Sequence, residues 1–118
     1  MPVTLTPNLA WALLLVAGLL EIVWSLSMKA SHGFTKHHFT VLTLVAALLS
    51  FLLLGLALRQ LPVGTAYAVW TGIGAVGAAV LGIVIFGEPL TFARVGCIAL
   101  IVGGILGLKF LGGGESAP

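Results

Sequence analysis

Charge is what this chain has least of. Only 7% of its 118 residues are Asp, Glu, Lys or Arg, whereas 60% are hydrophobic, and a soluble domain carries about 25% charged residues. Mean hydropathy is +1.25. No polar stretch is long enough to hold a water-soluble core, so the composition is that of a membrane protein. A formal net charge of +2, spread along the chain, excludes a nucleic-acid footprint. The single cysteine, Cys97, excludes an intrachain disulfide; in its apolar setting it reads as a small packing residue. No motif for a cofactor or for catalysis stands out. His32, His37 and His38 share a loop with Lys29 and Lys36, but no cysteine or carboxylate joins them. Headgroup contact or solvation accounts for them better than a metal site.

Hydrophobic runs and glycine are abundant instead. Sixteen glycines suit helices that approach closely in a bilayer. Four runs reach the length of about twenty residues needed to cross about 30 Å of hydrocarbon. They predict helices over about 8–28, 39–58, 63–86 and 90–108. Residues 112–118 read as a flexible tail, and the chain as one domain, 1–118. Leu9–Leu20 has the length of a signal-peptide core, but no Lys or Arg precedes it. Glu21 also stands where a small-residue cleavage site belongs, so the segment is expected to be retained.

Glu21 is the only carboxylate within an apolar run. A charge at mid-membrane costs at least ~2.5–3.5 kcal/mol on insertion scales, so such residues usually bind an ion, a proton or a partner. The functional reading is a site for a cation, a proton or each in turn. The structural alternative is a protonated carboxyl bridging two helices. Gly18, Glu21 and Ser25 fall on one helical face, and Trp24 borders it. Gly18 leaves room for a ligand or for a helix contact. Ser50 shares a face of the second helix with Thr43 and is either a packing residue or a partner of Glu21. Tyr67 and Trp70 share a face of the third helix and suit either an interfacial belt or an aromatic lining for a bound cation. The cluster of Gly72, Gly74 and Gly77 marks a kink, a hinge or close backbone contact. In the fourth helix Gly96 and Gly103, seven residues apart, form a seam suited to dimerisation.

Orientation follows the balance of Lys and Arg between the two faces. Lys29, Lys36 and Arg94 fall on one face, Arg59 and Lys109 on the other. So even a balance suits insertion both ways, and four helices are too few to enclose a polar path. Both points favour an all-α integral membrane fold in which two oppositely inserted copies form an antiparallel homodimer. The site would then lie between them, as in inverted-repeat transporters.

The stretch Pro62-Val-Gly-Thr-Ala-Tyr67-Ala-Val-Trp70-Thr-Gly-Ile-Gly74, with Gly18-x-x-Glu21 before it, resembles the small multidrug resistance transporters. The resemblance extends over about Trp11 to Lys109. Trp24 and the run from Trp70 are similar to the guanidinium-exporter subtype of that family. The resemblance implies a multi-pass protein of a prokaryotic inner membrane, a transporter and not an enzyme, that exchanges protons for guanidinium or small substituted guanidines. It implies that Glu21 binds both, that Ser50 and Trp24 hold the carboxylate by hydrogen bonds, and that Tyr67 and Trp70 line the pocket. Gly18 would lie against the substrate, Gly72 and Gly74 would kink the third helix, and Gly96 and Gly103 would seam the dimer. The alternative within the same fold is an exporter of bulkier quaternary ammonium or aromatic cations. A non-transporting membrane protein with a structural Glu21 is a third reading. Guanidinium itself fits the residues: it forks onto carboxylates and stacks on aromatic rings.

Overall fold

A computed structural model describes residues 6–111. It is four helices in sequence: α1 (Pro7–Ala30), α2 (His37–Ala57), α3 (Val63–Phe86) and α4 (Phe92–Phe110). Each is long and apolar enough to span a membrane. The expected tail, residues 112–118, lies outside the described residues.

Local chemistry sets the helix ends. The Thr6 hydroxyl accepts from the Leu9 amide at 3.1 Å, and Pro7 occupies the first turn, where its missing N–H is no loss. Ser31 closes α1: its hydroxyl donates to the Met28 carbonyl at 2.6 Å and accepts from the Phe34 amide at 2.9 Å. That bond holds a loop whose residues His32, Gly33 and Phe34 all have left-handed φ. Helix α3 occupies the span expected of it, from the residue after Pro62 to Phe86. Gly87 then stops it in a left-handed conformation, φ 68°, which glycine adopts without steric cost. Helix α4 begins two residues later than the apolar pattern indicates. Leu90 belongs to the connection, and Thr91 caps the helix by accepting from the Arg94 amide at 3.2 Å.

Helix α1 is the hub. Helices α2 and α3 both pack against it and touch each other, and α4 attaches to α3. The result is a slab 43 × 38 × 16 Å. Its core is small: Ala10, Leu14 and Ala17 of α1 meet Leu54, Ala57, Leu61, Ala66, Val69 and Trp70. These residues come from the first half of α1 and the chain around the α2–α3 turn, so the core fills the end of the slab where the chain begins. Glu21 stands just beyond it, toward the middle of α1. Helix α4 has no buried residue, and Cys97 on it is exposed; apolar side chains there face lipid or a partner.

Glycines set the approach of α3 to both neighbours. A methyl group on Gly18 would come within 2.8 Å of Ile73, and one on Gly77 would overlap Ile22. One on Gly72 would come within 2.8 Å of Ile105 on α4. Side chains of α1, α3 and α4 therefore sit against bare backbone of a neighbouring helix, which gives dispersion contact at short range.

Candidate functional site

The carboxylate sits in a seat made for it. A Cβ on Gly74 would overlap the Glu21 carboxyl group, so α3 meets the side chain with backbone alone. The Oε1 atom of Glu21 is buried and has no hydrogen-bond partner among the described residues. The same is true of the indole N–H of Trp24, one turn further along α1. An unpaired buried acceptor costs about 1–3 kcal/mol, and more when charged. This oxygen is therefore poised to gain a donor.

A hydrogen-bonded chain across three helices ends on α1 one turn before Glu21. The indole N–H of Trp70 donates to the Ser50 hydroxyl at 2.9 Å, and that hydroxyl donates to the Ala17 carbonyl at 2.7 Å. Ser50 is fully buried and Trp70 is 6% exposed. Ala17 lies one turn before Glu21, so its carbonyl is also the helical acceptor for the Glu21 amide. The chain thus pins α2 and α3 to the turn of α1 that carries the carboxylate. The hydrogen bonds expected from Ser50 and Trp24 to the Glu21 carboxylate are not among those formed. Ser50 spends its one proton on a backbone carbonyl. Thr43, the other hydroxyl on that face, bonds its own helix at Phe39.

Four aromatic rings stand in a row. Trp24 meets Phe51 edge-on with centroids 6.2 Å apart, Phe51 meets Trp70 at 5.7 Å, and Trp70 meets Tyr67 at 5.4 Å. The row crosses α1, α2 and α3. Sequence reasoning missed Phe51; its signal is its place directly after Ser50. Tyr67 and Phe51 are about half exposed, so the row opens outward from the slab. Among the remaining expected site residues, Gly18 is buried against Ile73 and Gly72 against Ile105. Helix α3 runs unbroken past Gly72 and Gly74, whose lack of side chains serves close contact here. Gly96 and Gly103 have open space where a Cβ would stand.

The profile of the Small Multidrug Resistance protein family matches residues 9–101. The chain belongs to the small multidrug resistance family. Its relatives include proteins named "Guanidinium exporter" from Yersinia pseudotuberculosis, Salmonella typhimurium and Escherichia coli. Each is 54% identical over 101 residues, which cover 86% of this chain and 96–97% of the relative. The match takes in Glu21, Ser50 and the aromatic row, and the four spanning helices make this a multi-pass membrane protein of the prokaryotic inner membrane.

Proposed function

We propose that the protein exports guanidinium and small substituted guanidines across the inner membrane in exchange for protons. The observation that carries this reading is the Glu21 oxygen, buried in a bilayer-length helix without a donor and backed by a row of aromatic faces. Guanidinium presents N–H donors in a plane and stays charged near neutral pH. A carboxylate accepts its fork, and the rings accept its face. The relatives' names support the same substrate. A proton and a guanidinium compete for one carboxylate, and that competition couples their fluxes.

The unit of transport is an antiparallel homodimer of oppositely inserted copies. Three features support this: the balanced Lys and Arg, the thin slab, and a fourth helix with no buried residue and an open glycine seam at Gly96 and Gly103. A second copy laid over the exposed Tyr67 and Phe51 closes the site and brings a second Glu21 to it. Trp24 and Tyr67 line that site, and Ser50 and Trp70 position the carboxylate through Ala17. Gly18 borders the substrate. Gly72 and Gly74 let α3 bend as the dimer rocks between its two openings.

Proteoliposomes loaded with a pH dye test the proposal. Added guanidinium should drive proton movement at low millimolar or lower concentration, and tetraethylammonium should not. Proton movement with tetraethylammonium alone would assign the site to bulkier quaternary cations. No response to either would remove the transport reading.

A further inference from the structure

A second candidate site lies apart from the Glu21 carboxyl, where α1, α3 and α4 meet. A cavity of about 300 Å³ runs between α1, α3 and α4. Trp11, Ala12 and Leu15 of α1 form one wall, and Val69 and Ile73 of α3 form another. Its lining is apolar except for one charge, Lys109, whose ammonium sits 4.9 Å from the centre of the Trp11 ring. Lys109 is the next-to-last residue of α4, and Trp11 is in the second turn of α1. Both therefore stand at the membrane edge, the depth at which tryptophan and lysine anchor to headgroups. The lining runs from Trp11 to Leu15 on α1, from Val69 to Ile73 on α3 and from Ile105 to Phe110 on α4, roughly 6–8 Å at the helical rise. The groove is thus apolar along its length and cationic at its mouth.

We propose that this groove holds an anionic phospholipid, with the headgroup end of one acyl chain between α1, α3 and α4 and the headgroup phosphate on Lys109. The charge selects the headgroup, and the apolar walls take the part of the chain next to it. Phosphate on an ammonium that already rests on an indole face completes an ion pair of the kind that lysines form at an anionic lipid surface. None of the groove's charged or polar groups belongs to the Glu21 site.

Native mass spectrometry on protein released from micelles holding equal phosphatidylglycerol and phosphatidylcholine tests this. The wild type should retain phosphatidylglycerol at least about tenfold in preference to phosphatidylcholine, a difference of about 1.4 kcal/mol. Lys109→Gln should reduce the preference to about twofold or less, and Ala12→Trp should lower retention of both lipids by filling the groove. Guanidinium binding by both variants should match the wild type and so reports intact folding. A wild type that retains the two lipids equally, or a preference that survives in Lys109→Gln, would overturn the proposal. In the unmutated protein, brominated phosphatidylglycerol should quench tryptophan emission more than brominated phosphatidylcholine, and the excess should vanish in Trp11→Phe. Disulfide-linked copies of Leu15→Cys in a bilayer, with no lipid retained, would give the groove to a second copy and reject the lipid.

Discussion

Replacing Gly74 with alanine separates the site from the fold. The added Cβ overlaps the Glu21 carboxyl and lies 2.7 Å from its Cγ, closer than carbon atoms tolerate. The carboxylate must move, because its neighbour is helix backbone. Two effects on stability oppose each other. Alanine favours the helix by about 1 kcal/mol over glycine, and overpacking costs typically about 1–3 kcal/mol. The net loss should be no more than about 2 kcal/mol, so the protein should still fold. Binding has no such compensation. A displaced carboxylate loses a charge-assisted hydrogen bond to the cation, about 1.5–3 kcal/mol, or roughly tenfold to 150-fold in affinity. Calorimetry of guanidinium binding to detergent-solubilised protein reads this directly. Gly64→Ala, in the same helix with no atom within 4 Å of its Cβ position, is the control and should bind as the wild type does. A Gly74→Ala protein with wild-type guanidinium affinity would refute the claim that bare backbone at this position seats the carboxylate.

Ser50→Ala should cost about 2–3 kcal/mol of stability, since it removes the bond to Ala17 and leaves the buried Trp70 N–H unpaired; unfolding in mixed micelles measures it. Trp24→Gly breaks the aromatic row at its contact with Phe51. It should weaken guanidinium binding roughly two- to tenfold while admitting larger aromatic cations, both read by competition binding. Lowering pH should weaken guanidinium binding by up to about tenfold per unit as protons occupy Glu21; a flat titration from pH 9 to pH 5 would contradict competition for one carboxylate.

Much of this was legible in the residues. Long apolar runs reveal spanning helices because a bilayer demands length and hydropathy together, and Pro62 with Gly87 brackets α3 sharply. Helix α4 was harder: Leu90 is apolar like the helix that follows, and only the Thr91 cap shows where the turn ends. Glu21 announces itself by its cost in the membrane. The partner of Ser50 does not, because a backbone carbonyl such as that of Ala17 exists at every position and carries no sequence signal. The glycines show the same limit. Their spacing marks close approach or bending alike, and only the facing side chains, Ile73 at Gly18 and Glu21 at Gly74, show which of them serve contact. Phe51 was overlooked because an aromatic in an apolar helix resembles ordinary lipid-facing bulk until Trp24 and Trp70 appear on either side of it.

Guanidinium-driven proton movement in proteoliposomes, compared between the wild type and Glu21→Gln, tests the central claim most directly. Glutamine keeps the shape of the side chain and removes its charge, so the variant should remain folded while its exchange falls to the level of empty liposomes. Guanidinium-driven proton movement by Glu21→Gln at the wild-type rate would contradict the assignment of both ligands to this carboxylate.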